Sequence, residues 1–266
     1  MKKKMIFPNQ LKIFLHINHK MIRVGRRVYK GGKPTDPSFE GFIPILVLTK
    51  SYKRWYALSP YSLKNDEGHI MENIWQFSKV YETIPENEEH YSRYDKRVIW
   101  SHPAERHVGT NGILTKEYWS WREKGFNNKE SVRYPVGFQH RTKCLYTIKE
   151  DKHEYNPETS KKLSYIEARK AIYMPVYNEL ARKTYRFKEL KKLLKEGKNL
   201  LIIEVDGPHE ESMDYYKKEY GVDDDFIQDS TILVNKENME IMLNDEKHAF
   251  GHGYCLAIAL LDLDKD

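Results

Sequence analysis

The stretch Gly68–Glu82, GHIMENIWQFSKVYE, places Glu72, Gln76 and Lys79 at steps of four and three among Ile, Trp, Phe, Val and Tyr. On a helix those steps bring the three polar side chains to one face. Trp75 and Phe77 flank that face. Two readings follow. The helix is an outer one with a solvated stripe, or it lines a pocket and aims three functional groups into it. Asn65 to Gly68 punctuates the chain before it, so a helix is expected at about 70–80.

Working outward, residues 11–16 (LKIFLH) and 43–50 (IPILVLTK) read as strands, with the Gly- and Pro-rich GGKPTDPSFEG as a loop between them. WYALSPYSL reads as a strand end entering a turn. Residues 85–160 mix short helix, strand and loop signals, and 149–162 is a charged loop. Ser164 with Glu167 three residues on forms a capping box. Pro175 then interrupts the helical pattern and is expected to kink or split it. RFKELKKLLKEGK is a second helix closed by Gly197. NLLIIEV (199–205) is a continuous apolar run, the mark of a buried strand. Residues 207–240 read as acidic and irregular, and 248–263 as a Gly-punctuated turn entering an apolar helix.

The chain has 266 residues, enough for a substantial core, with 39% hydrophobic and 32% charged residues. Its formal net charge of +6 suits either a polyanionic partner or a solvated basic face. Cys144 and Cys255 build no disulfide framework, which fits a reducing, cytoplasmic compartment. MKKKMIF is followed by polar and basic residues, so no secretory signal is expected. No apolar window of about 18 residues occurs, so no membrane span is expected. His248 and His252 lie four apart, but Gly251 between them and the lack of a third ligand argue against metal.

Four segments in order resemble the NADAR superfamily: LSPYSL with Ser59 before the turn at Gly68; Glu72-Asn73-x-x-Gln76-x-x-Lys79; Leu193-Leu194 with Gly197, Leu201 and Glu204; and Asp245 before Phe250-Gly251-His252-Gly253, entering Ala257 to Leu261. The resemblance covers about 55–82 and 164–262. It implies one α+β (or irregular α/β) domain over 1–266, a helical core with a small sheet, and insertions at 85–160 and 207–240. Three positions depart from the family pattern: Asn73 stands for a His, Phe250 for a Trp and Tyr254 for an Asn.

That resemblance implies an N-glycosidase cleaving a ribose–base bond, on an ADP-ribosylated or otherwise modified nucleotide or nucleic acid, with no cofactor. Glu72, Lys79 and Asp245 would be catalytic. Ser59, Asn73, Trp75, Gln76, Glu204, Phe250, Gly251, Gly253 and Tyr254 would contact the substrate. Lys79 either attacks as a neutral amine or stays charged and holds a phosphate. The departures keep alive a module that binds ADP-ribose or a modified nucleotide but has lost the chemistry, and the long insertions and basic start keep alive a nucleic-acid base-modifying transferase using the same pocket.

Overall fold

Ile22 and Val24 are buried on one face of their strand and Arg23 on the other, Leu200–Ile203 are buried on both faces of theirs, as the centre of a covered sheet requires, and the strand at 42–46 is only part-buried at its edge. The computed structural model describes residues 20–48, 54–88 and 100–265. Its strands are β1 (Ile22–Arg26), β2 (Val28–Lys30), β3 (Lys33–Thr35), β4 (Phe42–Leu46), β5 (Lys79–Val80), β6 (Thr83–Ile84), β7 (Glu105–Arg106), β8 (Tyr146–Thr147), β9 (Asn199–Glu204) and β10 (Thr231–Leu233). Its helices are α1 (Met71–Phe77), α2 (Lys116–Phe126), α3 (Tyr165–Ala168), α4 (Met174–Lys183), α5 (Tyr185–Lys195), α6 (Met213–Tyr220), α7 (Lys236–Asn244) and α8 (His252–Leu260).

The main sheet has the order β10-β1-β9-β4. β9 runs parallel to both β1 and β4, and β10 is antiparallel to β1. Pro44 is tolerated because β4 is an edge strand. α8 is apolar around its whole circumference and every one of its residues is buried, the signature of a central helix. It packs on β1 and β9 and against α4 and α5. Four paired strands, three two-stranded ribbons and the surrounding helices make a single-domain α+β arrangement.

Several expectations hold in detail. The capping box is present: Glu167 N–H donates to Ser164 Oγ (3.3 Å) and Ser164 N–H to Glu167 Oε2 (2.8 Å). Gly197 follows α5 at φ +77°, where a side chain would be strained.

Others are corrected. The expected strand at 11–16 lies outside the described residues, as do Thr49 and Lys50 at the end of the expected strand 43–50. Tyr56–Leu58 is a 3-10 turn, not a strand end. Pro175 does not split the helix. It sits in the first turn of α4, directly after a π-helical turn at Arg169–Tyr173, and the chain stays helical from 165 to 183. A wide turn lets the helix absorb a residue without an N–H. Residues 207–240 are far from irregular: they supply α6, the start of α7 and β10, an outer strand of the main sheet. α1 ends at Phe77, where Ser78 Oγ donates back to Ile74 O (2.7 Å). Lys79 therefore lies on β5, not on the helix.

Candidate functional site

Glu72 and Gln76 are buried on α1, and both line a cavity of about 120 Å³. Trp75, from the same helix, forms part of the wall. Tyr165, Arg169 and Tyr173 come from α3 and the π turn, Tyr61 and Arg133 from loops. Asp206 follows β9, and Phe250 and His252 enter from the start of α8. Segments about 180 residues apart in sequence thus share one wall.

The polar face of α1 is a hydrogen-bonded chain. Lys79 Nζ donates to Gln76 Oε1 (2.8 Å), and Gln76 Nε2 donates to Glu72 Oε1 (2.8 Å). The ammonium also stands 4.8 Å from the Trp75 ring centroid. Lys79 is thus behind Gln76, not on the cavity wall. Burial pushes the Glu72 carboxyl up, although Gln76, Arg133 and Lys79 pull against it. Burial pushes the Lys79 ammonium down.

Behind His252 of the cavity wall, Glu204 ends β9 with no exposure at all. Gly253 N–H donates to its Oε1 (3.2 Å), and His252 Nδ1 lies 3.3 Å from its Oε2. The other ring nitrogen of His252 bonds to Val47 O. Burial, with Asp206 nearby, holds the Glu204 carboxyl well above its usual range. Burial lowers His252 to about 4. Both shifts favour a neutral acid beside a neutral imidazole. Gly251 is required here, because a Cβ at that position would run into the Glu204 carboxyl.

Arg169 is 1% exposed and braced from one side. Its Nη1 donates to the carbonyls of Met242, Leu243 and Asp245, and its Nη2 to His248 O. It thereby caps the C-terminus of α7. Its guanidinium lies 4.6 Å from the Tyr165 ring centroid. Sequence reasoning missed this wall, although the i, i+4, i+8 spacing of Tyr165, Arg169 and Tyr173 puts them on one helix face. Nothing local marked Arg133 or Asp206.

The remaining candidates sit around the cavity rather than on it. Asp245 is fully buried and receives Tyr215 OH (3.0 Å), Tyr216 OH (2.7 Å), Lys247 N–H (2.9 Å) and His248 Nδ1 (2.6 Å). Burial pushes its carboxyl up, but these hydrogen bonds outweigh that and hold it below the usual range. Its place is that of an anchor for the turn into α8, because its bonding capacity is spent there. Asn73 donates to Glu130 O (3.0 Å) and accepts from Val132 N–H (2.8 Å), stapling the segment that carries Arg133. Ser59 Oγ accepts from Tyr61 N–H (3.2 Å). Tyr254 is fully buried and stacks on Phe250 with ring centroids 5.1 Å apart. Cys255 is buried and Cys144 half-buried, both with thiols pushed up by burial, which fits inert cysteines.

Among the described residues, no group of three or more His, Cys, Asp or Glu side chains is placed to hold a metal ion. No described helix is long and apolar enough to cross a membrane. No family model, no curated protein and no solved structure matches this chain.

Proposed function

We propose that this protein is an N-glycosidase that cleaves the bond between a ribose C1′ and a base nitrogen, with the reacting end of the substrate in the cavity beside Glu72. The observation that carries the reading is that two carboxyl-bearing residues, Glu72 and Asp206, line one aromatic-walled cavity. Glycosidic cleavage puts positive charge on the sugar and negative charge on the leaving base. Glu72, whose carboxyl burial favours in its protonated form, gives its proton to the leaving base nitrogen. Asp206 faces the sugar and orients the water whose oxygen joins C1′. The proton that the water loses restores the Glu72 acid. Asp206 takes the part that the family resemblance implied for Asp245. Lys79 acts through Gln76, holding the amide so that its N–H₂ end meets Glu72.

The cavity is small. A void of about 150 Å³ holds a benzene-sized ring, so about 120 Å³ gives room for one ring at most and the rest of a nucleotide stays outside. That favours a substrate held mostly by the outer surface.

The test is mass spectrometry of an oligonucleotide bearing ADP-ribosylated guanine, with ADP-ribose, NAD and GMP as free-ligand arms in a thermal-shift series. Release of ribosyl product by the wild type, and its loss in Glu72→Gln, is the expected result. No turnover, together with thermal shifts that are the same in both proteins, would overturn the reading. Lys79→Arg separates the roles of the lysine. Retained turnover marks a positioning cation, whereas a sugar adduct trapped on Lys79 by borohydride, lost in Lys79→Arg, marks the amine as the attacking group, because guanidinium stays protonated.

A further inference from the structure

Helix α5 carries a basic stripe that the cavity does not use. Tyr185, Lys188, Lys192 and Lys195 follow at steps of three, four and three, and so share one face. The other face, Phe187, Leu190 and Leu194, is buried in the main core. Tyr185 is 73% exposed, the most open of the exposed large hydrophobic side chains among the described residues. Lys188, Lys192 and Lys195 are all exposed. The stripe borders a groove of about 500 Å³ whose walls add Arg182, Lys191 and Lys265, with Asp262 as the one acid among its lining residues. Asp262 is occupied by Lys191 and Lys265, Arg182 bonds Asp264, and Lys192 lies 3.8 Å from Glu196. Among the described residues no carboxylate is paired with Lys188 or Lys195.

We propose that the outer face of α5 is a docking surface for single-stranded nucleic acid, with Tyr185 stacking a base and Lys188, Lys192 and Lys195 following the phosphates. Three features choose this partner. An exposed aromatic at the head of a lysine row matches the two needs of an unpaired strand, a stacking platform and a cationic track. A duplex would leave Tyr185 without an unstacked base to meet. An anionic lipid surface is matched less well, because a membrane-binding helix inserts an apolar face and that of α5 is already spent on the core. At a rise of 1.5 Å per residue the three lysines are spaced by about 6 and 4.5 Å along the helix, close enough for each to meet its own phosphate. The surface rests on its own observations. It adds to the cavity reading only by favouring a polymer over a free nucleotide as substrate.

The test is fluorescence anisotropy of a labelled oligothymidylate with the full chain from 50 to 200 mM salt, with a matched duplex and anionic vesicles as comparison arms. Three phosphate contacts predict a slope of about −2 in log affinity against log salt. The triple variant Lys188→Glu, Lys192→Glu, Lys195→Glu should weaken binding at least about tenfold and flatten that slope. Tyr185→Ala should weaken it about tenfold and leave the slope intact. A control reversing exposed Lys116, Lys124 and Lys129 makes the same change in net charge and should stay within about twofold. Glu72→Gln should bind as the wild type does, so failure of the cavity reading and failure of this one are told apart. If the triple reversal unfolds, the three-glutamine version replaces it. The proposal falls if binding is absent or salt-independent, if the control triple loses as much, or if duplex or vesicles bind as tightly as the single strand.

Discussion

The core around the main sheet and the core between residues 61 and 148 bury different kinds of atoms. In the first, Ile, Val, Leu and Ala from β1, β9, α4, α5 and α8 pack together, and strand ladders satisfy the backbone. In the second, Phe77 meets Trp100 and Trp121 at ring distances of 4.6 and 4.5 Å, and His107 meets Trp121 at 4.8 Å. The ribbons beside it are only two residues per strand. Among the described residues, the indole N–H groups of Trp100 and Trp121, both ring nitrogens of His107 and Glu105 Oε2 are buried there without a hydrogen-bond partner. Each such group costs about 1–3 kcal/mol. The main core leaves Asn178 Oδ1, Glu204 Oε2 and Tyr254 OH in the same state, so it is the short ladders that make the aromatic core the weaker half. α1 belongs to both: Met71 and Trp75 pack in the first, Phe77 in the second. The cavity lies along this shared helix, with Tyr61 contributed by the weaker core and Trp75, Tyr173 and Phe250 by the stronger.

The sharpest way to break that contrast is Trp121→Ala, which removes the hub of the aromatic core at a cost of about 3–5 kcal/mol. Hydrogen exchange should show amides at 100–148 losing protection while those of β9 keep theirs. One concerted loss over both regions would show a single cooperative unit instead.

Glu72→Gln addresses the helix that both cores share. Turnover should fall about a hundredfold, ~2.7 kcal/mol of barrier. Urea midpoints should not fall at neutral pH, because the amide keeps the shape of a carboxyl that burial already disfavours as an anion. A midpoint well below that of the wild type would make Glu72 a structural group.

Two glycines compare the cores on equal terms. A Cβ on Gly251 would run into the Glu204 carboxyl, and one on Gly125 into the Phe77 ring. Overpacking of this kind costs about 1–3 kcal/mol. Gly251→Ala should cost about 2 kcal/mol or more in urea titration, because Glu204 is pinned by Gly253. Gly125→Ala should cost less if the aromatic core yields, and a reversed order would contradict the ranking of the two.

The smallest effect is a slope. Burial lowers His107 to about 4, so it is neutral in the fold and protonates more readily in the unfolded chain. Its contribution is present above about pH 6.5 and is lost as pH falls towards 4, at up to ~1.4 kcal/mol per pH unit. His252 has the same sign. His107→Phe should flatten the acid-side stability curve over that window without abolishing the part due to His252. An unchanged curve would show that His107 is not buried as a neutral ring.

Local order in the sequence was enough for the capping box at Ser164, the stop at Gly197, the buried strand at 199–204 and the apolar α8, because each depends on residues within a few positions of one another. From the sequence, the helix of Glu72 is also expected beside the Gly251–Gly253 turn, and Phe250 and His252 line the same cavity as Glu72. Only the tertiary structure decided the rest. Lys79 left the helix because Ser78 closes it, yet stayed in contact through Gln76. Asp245 was claimed by two tyrosines and His248, and Asp206 and Arg133 took places on the cavity wall with no local signal. β10 joined the main sheet from a segment whose acidic composition concealed it. The physical reason is the same in each case. A carboxyl or guanidinium has no role until burial and its neighbours give it one, and those neighbours come from segments up to about 180 residues away.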